Sequence, residues 1–401
     1  MSNGTFDRSE PIGPMSRVSP YATLGLGCHT CFFFQECGGV YMGFDCMSSC
    51  SVDCSTCTFP CPKSPKFVEG IRDIGGLDAS LPWRIRQELV RSLPQYVPAI
   101  KNGSGREQDI EIPFVALPTI EVVRPRADNG GMLQTASQLR SFFHIGRKTR
   151  VILVSVAEDA DLERYWEHSF IESLPERLAT LEIELITAPN FSFPLNVPRT
   201  VHLANRKRSL ICAQEFSDAG MCVVPPLNAV TQRDWDFWKD FLREHGHIKL
   251  VAKEFQTGGR NRSVARWHID QLRRIEDAIG RGMHLIAVGG RRHMQLLARL
   301  SSYTIVDTVP FMRAIKRRKL SKRDGLWKMN RTRPGEPIDS ILGTNISVYS
   351  QIICEDAAQL RQFPLALGNY GLPKPFGAAE YGELPHPEWT PPPEQLRLGY
   401  F

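Results

Sequence analysis

The sequence predicts an α/β protein: a (β/α)8 barrel of the TIM type, preceded by a cysteine-rich metal-binding module. Three observations carry this prediction. From Ile112 onward, short β-branched runs alternate with helical stretches at least six times, the beat of parallel β/α architecture with right-handed crossovers. Most of these runs are apolar throughout, as in parallel strands covered on both faces. No Gly-rich dinucleotide fingerprint follows an early strand, since "GLGC" at Gly25 precedes cysteines rather than a helix; this favours a closed barrel over an open doubly wound sheet.

A chain of 401 residues accommodates one large barrel plus accessory segments. With 42% apolar and 23% charged residues, it has the composition of a soluble globular protein. No stretch approaches the roughly 18 to 20 consecutive apolar residues of a membrane-spanning helix, so no membrane partner is expected. The opening "MSNGTFDRSEPIGPMSR" lacks the apolar core of a signal peptide. The expected compartment is therefore the cytoplasm, where thiols stay reduced.

Residues 1–25 are polar and rich in Gly, Pro and Ser, which predicts disorder. The cysteine module follows over 26–66. The barrel is expected over 67–350, beginning with a helical stretch from Phe67 to Leu93 that Gly75 and Gly76 interrupt. Candidate strands are 114–123, 151–156, 182–189, 221–226, 247–255, 284–290 and 303–309; candidate helices include Asp161–Leu181, Thr231–Glu244, Ser263–Arg281 and Arg292–Leu300. A tail over 351–401, dense in proline and aromatics, is expected to wrap the surface in extended form.

Eight of the eleven cysteines lie between Cys28 and Cys61: Cys28, Cys31, Cys37, Cys46, Cys50, Cys54, Cys57 and Cys61. In a reducing compartment so dense a cluster is a metal site before it is a disulfide framework. Eight thiolates suit two four-coordinate centres, either zinc or an iron–sulfur cluster, with His29 an alternative ligand. Closed four-ligand sites leave no open position, so a structural role is expected. Cys50-x3-Cys54-x2-Cys57 also has the spacing of radical iron–sulfur enzymes, which keeps a redox barrel among the readings. Cys212, Cys222 and Cys354 are scattered in apolar surroundings and are expected in the core.

In barrels, catalysis is built at the C-terminal ends of the strands. Reading those ends yields Asp128, Ser155, Glu158, Asn190, Asn228, Glu254, Gln256, Gly289, Gly290 and Asp307. Asp307 closes the run "YTIVD", where period 2 places it on the same face as Ile305. If that face is the lumen, the acid is partly desolvated and suited to chemistry; otherwise it caps the helix that begins near Pro310. "RADNGGMLQ" sets Asp128 beside Gly130 and Gly131, with Gln134 close behind, just before a helical run. Such glycines let backbone N–H groups approach a flat heteroaromatic ring or a phosphate. From Arg313 to Arg333 there are ten Lys or Arg and a single acid, Asp324. Arg313, Lys316, Arg317, Arg318, Lys319, Lys322 and Arg323 are the candidate contacts to nucleic-acid phosphate.

Taken together, "ADNGGMLQ" and "AVGGRRHMQLLARLSSYTIVDTVPFMRA" resemble the tRNA-guanine transglycosylase family, whose members carry Thr-Asp-Ser-Gly-Gly-Phe-Gln and, later, Phe-Asp-Cys-x-x-Pro-x-Arg-x-Ala-Arg. The resemblance covers Ile112 to Arg318. It implies a (β/α)8 barrel in which Asp307 attacks C1′ of a nucleotide, guanine leaves, and a 7-deazaguanine-type base replaces it. It also implies that Asp128 binds the base edge and serves as general base. Gly130, Gly131, Gln134, Asn190, Glu254, Gly289 and Gly290 are the expected substrate-binding residues. "VSVAED" stands where the family has a second acidic motif, and the zinc ligands after the nucleophile strand are missing. With eight cysteines at the opposite end, this points to a divergent branch of the kind that modifies DNA rather than tRNA. The alternative is a metal-stabilised nucleic-acid-binding barrel without catalysis.

Overall fold

The computed structural model describes residues 67–80, 82–87, 93–102, 105–123, 132–194, 199–323 and 326–362. The cysteine module, the N-terminal segment 1–25 and residues 363–401 of the tail lie outside these.

Eight parallel strands form two four-stranded sheets. One has the order β1 (Tyr96–Pro98), β8 (Ser302–Asp307), β7 (His284–Val288), β6 (Leu250–Glu254); the other runs β2 (Phe114–Pro118), β3 (Arg150–Val154), β4 (Leu185–Thr187), β5 (Val223–Val224). Single parallel bridges join the two: Ala99 to Ala116 beyond β1, and Pro226 to Ala252 beyond β5. Helices follow most strands, as a parallel sheet requires. After β2 come α2 (Thr119–Val123) and α3 (Ala136–Phe143), and after β3 come α4 (Asp159–Ser169) and α5 (Leu174–Ala179). α6 (Arg199–Asp218) follows β4, α7 (Gln232–Glu244) follows β5 and α8 (Arg262–Ile279) follows β6; α9 (Met294–Leu297) and α10 (Val309–Ile315) follow β7 and β8. An antiparallel hairpin of β9 (Arg318–Arg323) and β10 (Leu326–Arg331) then leads to α11 (Ile338–Gln362).

The buried residues divide by strand parity. A small cluster takes at least one residue from every parallel strand: Val97, Ala116, Ile152, Leu185, Val224, Ala252, Ile286 and Val306. The alternate residues, among them Leu117, Leu153, Val251 and Ile305, join a larger cluster with the helices. Both faces are therefore apolar, which is why these strands read as unbroken hydrophobic runs.

Several expected boundaries move. The stretch 161–181 is two helices, because Ser173 takes a left-handed φ of 49° and turns the chain. The helix at 67, α1 (Phe67–Asp73), stops just before Gly75 and Gly76, which adopt φ of 66° and 84°. The helix expected over 292–300 is a 3-10 turn, Gly290–His293, followed by the four residues of α9. α11 runs to Gln362, so the expected boundary at 350 falls inside a helix, and Cys354 on it is exposed rather than in the core. α6 is not among the helices that the sequence pattern delimits. It is buried on every side, and Arg199, Arg206, Lys207 and Arg208 break up the apolar stripe by which a helix is normally read.

Candidate active site at the C-terminal ends of the strands

Glu254 ends β6 two residues after Ala252, and so points to the side of the small inner cluster. It lines a small depression, about 10 Å³ in volume, with Val156, Thr187, Asn190, Pro226 and Val288. The carboxylate accepts the backbone N–H of Thr257 at 2.7 Å and its hydroxyl at 3.1 Å, together with the N–H of Gln256. Burial pushes its pKa up, and these donors only partly offset that. Asn190 is anchored through its N–H to the Ser155 carbonyl at 2.9 Å, while its side-chain Oδ1 is buried without a hydrogen-bond partner. The depression thus offers a carboxylate and an amide oxygen to donors on a ligand.

Other strand-end residues serve the scaffold. The Ser155 hydroxyl pairs with Thr119 at 2.8 Å, and Asn228 donates to the Phe191 carbonyl at 3.0 Å. Glu158 sits at the N-cap of α4 without a side-chain capping bond. Gln134 is exposed, and its amide donates to the Met132 carbonyl at 2.7 Å. Gly289, at φ 77°, donates its N–H to the Val306 carbonyl at 2.7 Å. A Cβ there would stand 2.2 Å from Cγ of Gln256, and one at Gly290 would stand 2.8 Å from the Ala287 methyl. The Gly-Gly pair is what lets the chain turn tightly between the β6 and β8 ends.

Asp307 is the last residue of β8 and only 4% exposed. The expectation of a lumen-facing acid is corrected here. Val306 belongs to the inner cluster, whereas Asp307 shares the parity of Ile305 and faces the helix layer. Its Oδ1 accepts the Val309 N–H at 3.0 Å, the first residue of α10, and the Tyr96 phenol at 3.2 Å. Its Oδ2 is buried without a partner. Burial raises the carboxyl pKa, against the pull of the Val309 N–H, the Tyr96 phenol and the Arg291 charge. The Arg291 guanidinium lies 4.5 Å from the centre of the Tyr349 ring, so Tyr96, Arg291 and Tyr349 form a polar nest around the acid. Nothing in the local sequence marked Tyr96, which comes from a three-residue strand containing a proline.

A second buried polar constellation lies between β6, α6 and α7. Asp234 is fully buried and accepts from Arg199 and Arg206, from the N–H groups of Val230 and Thr231 at 3.0 Å each, and from the Thr231 hydroxyl. The two guanidiniums hold its carboxyl well below the ordinary range in spite of burial. Beside it, Lys253 donates to the Leu227 carbonyl at 3.1 Å and lies 5.4 Å from the Trp235 ring centre. Burial pushes its ammonium down to about 8. The Thr-x-x-Asp spacing of Thr231 and Asp234 is the one local signal for the capping box that starts α7, and the sequence reading above did not use it; nothing local marks the arginine partners.

In the basic strip, Arg313, Lys316, Arg317 and Arg318 are exposed, while Lys319 is half-buried and paired with Glu336 at 2.7 Å. Lys322 and Arg323 occupy β9 opposite Trp327 and Leu326. Asp128, Gly130 and Gly131 lie outside the described residues, as do Cys28, Cys31, Cys37, Cys46, Cys50, Cys54, Cys57 and Cys61. Among the described residues no three His, Cys, Asp or Glu side chains gather to hold a metal ion, and no helix is long and apolar enough to cross a membrane.

No family model matches the sequence, and no curated protein matches it. Among solved structures, a wild-type sialic acid aldolase of Ruminococcus gnavus is similar at a TM-score of 0.32 and 10% identity, over 66% of this chain and 79% of that one. At that TM-score the likeness carries nothing about this chain's chemistry.

Proposed function

We propose that the eight strands close into a (β/α)8 barrel, and that the chain is a nucleic-acid base-exchange enzyme, a pentosyltransferase that replaces guanine in DNA or tRNA by a 7-deazaguanine-type base. Closure is supported by the two inter-sheet bridges and by the inner cluster drawn from all eight strands. The chemistry rests on one observation: a buried carboxylate at the C-terminal end of β8 whose Oδ1 is held by two donors and whose Oδ2 has no partner.

In the proposed reaction Oδ2 bonds to C1′ as the glycosidic C–N bond breaks, and guanine leaves with the electron pair and a proton. The incoming base then attacks C1′, releases the carboxylate and gives up a proton, so that two displacements retain configuration. Asp128 handles the protons, as the family resemblance implies. Glu254 and the Asn190 amide oxygen accept from the donor edge of a base flipped out of its stack. Zinc or an iron–sulfur cluster at the cysteine module would brace the fold.

The test is incorporation of labelled guanine, or of a 7-deazaguanine, into tRNA and into duplex DNA. Exchange by the wild-type chain, and none by Asp307→Asn, is the expected result; no exchange into either substrate, or full exchange by Asp307→Asn, sinks the proposal. The helix-facing parity of Asp307 and its bond to Val309 favour a second reading, a nucleic-acid-binding barrel in which the acid only anchors α10. In that case binding persists without exchange.

A further inference from the structure

The first turn of α8 is charged against its own dipole. Positive potential gathers at a helix start, where acids stabilise and cations do not. α8 instead opens with "RNRSVAR": Arg260 stands just before the Asn261 cap, Arg262 is the first helical residue, and the first turn has no acid. Arg266 follows Arg262 by four positions, a like-charge spacing that weakens a helix further. The Asn261 side chain caps the Ser263 N–H at 2.9 Å, so the N–H groups of Arg262 and Val264 stay open to an anion at the strand-end face.

The loop after β7 adds to this charge. Residues 255–269 and 289–298 hold five arginines, Arg260, Arg262, Arg266, Arg291 and Arg292, and no Asp or Glu. The next acid along α8, Asp270, is taken by Arg299 at 2.6 Å. Arg262 and Arg292 are exposed, and the two loops are tied together: Arg262 donates to Oε1 of Gln295 at 3.1 Å, and the His293 ring lies 5.8 Å from that of Phe255. His293 is 4% exposed, and neither ring nitrogen makes a hydrogen bond of good geometry. Burial lowers its pKa; the Gly259 backbone opposes this, and the charges of Arg262 and Arg292 add to it. A neutral imidazole with an N–H to donate therefore sits in the field of both arginines.

We infer that Arg262, Arg292, His293 and the start of α8 form a binding site for one phosphate group. An anion there turns repulsion among cations into charge-assisted contacts, and guanidinium forks match phosphate oxygens. Open N–H groups at a helix start bind phosphate for the same reason. A carboxylate has two oxygens in one plane, whereas a phosphate presents its oxygens in three dimensions, which suits donors arriving from α8, from the β7 loop and from a buried ring. The site adjoins the candidate active site: Gln256 and Thr257, whose N–H groups hold the Glu254 carboxylate, lead within three residues to Arg260. A phosphate held here belongs to the nucleotide whose base reaches Glu254. That identity rests on the nucleic-acid part of the proposed function, but the site does not depend on the exchange chemistry.

The test follows binding by the full chain with isothermal titration calorimetry, using inorganic phosphate, methyl phosphate and a thymidine dinucleoside monophosphate in chloride buffer of constant ionic strength. Wild type should bind one ligand per chain, and R262Q/R292Q should bind it at least about tenfold more weakly, since charge-assisted contacts are lost. R273Q/R274Q removes the same charge from exposed positions later in α8 and should bind as wild type does. Binding of the dinucleoside monophosphate identifies a nucleic-acid phosphodiester as the source; binding of inorganic or methyl phosphate alone identifies a free phosphate or monoester. Thermal melting gives a second reading. R262E puts an acid in the first turn, so it should melt at or above wild type in chloride and below it in phosphate of the same ionic strength. No saturable binding of any of the three by wild type, undiminished binding by folded R262Q/R292Q, or an equal loss in R273Q/R274Q overturns the site. Asp307→Asn should bind as the wild type does, so a failed exchange reaction leaves this result readable.

Discussion

Replacing Asp307 by Asn and by Ala separates a reactive acid from a structural one. Asn keeps the shape and an oxygen to accept from Val309 at 3.0 Å and Tyr96 at 3.2 Å; the charge is lost and an amide NH2 takes the place of the partnerless Oδ2. Ala loses both bonds, each worth about 1 kcal/mol net, for a cost of about 2 kcal/mol. The charge itself works against the fold. Burial raises the folded pKa above the ordinary 3.8, so the folded state holds the proton more tightly than the unfolded chain does. Stability therefore falls as pH rises from about that ordinary value through the folded one. At pH 7 Asp307→Asn should be as stable as wild type or more so, with Asp307→Ala about 2 kcal/mol below it. Urea unfolding followed by tryptophan fluorescence, repeated from about pH 4 to pH 7, gives both the ranking and the slope. The reasoning fails if Asp307→Asn costs more than about 2 kcal/mol at pH 7, or if the wild-type and Asn profiles run parallel in pH. A carboxylate kept where it weakens the fold, and lost together with exchange activity, is the pattern of a site residue.

Asp234 should behave in the opposite way. Asp234→Asn removes the charge facing two buried arginines and should cost about 3 to 5 kcal/mol in urea unfolding. Its folded pKa is depressed, so its contribution is complete above the ordinary value and lost as pH falls through the folded one; an acid-unfolding titration should show wild type and variant converging at low pH. Lys253 is pushed from 10.5 down to about 8. Between those values the unfolded chain holds more protons, so stability should rise with pH by at most about 3 kcal/mol. Lys253→Met should flatten that rise, as measured by unfolding at pH 7.5, 9 and 10.5.

The sequence by itself determined the parallel α/β class, because strands covered on both faces must be apolar throughout and "VILVSV" and "HLIAVGG" have no polar alternation. It also marked the ends of those strands: Glu254 and Asp307 end β6 and β8, and Asn190 lies three residues beyond β4. It could not find β1, three residues long with a proline, whose pairing with β8 alone makes it a strand. Nor could it find α6, whose buried cations are tolerated because Asp234 and Glu163 reach them from other elements. The tertiary structure decided which way each strand-end acid points. Period 2 puts Ile305 and Asp307 on one face, but only packing says whether that face meets the inner cluster or the helices. It turned Glu254 inward and Asp307 toward Tyr96. The Asp307–Tyr96 contact joins residues more than two hundred apart in the chain, and no local pattern records it.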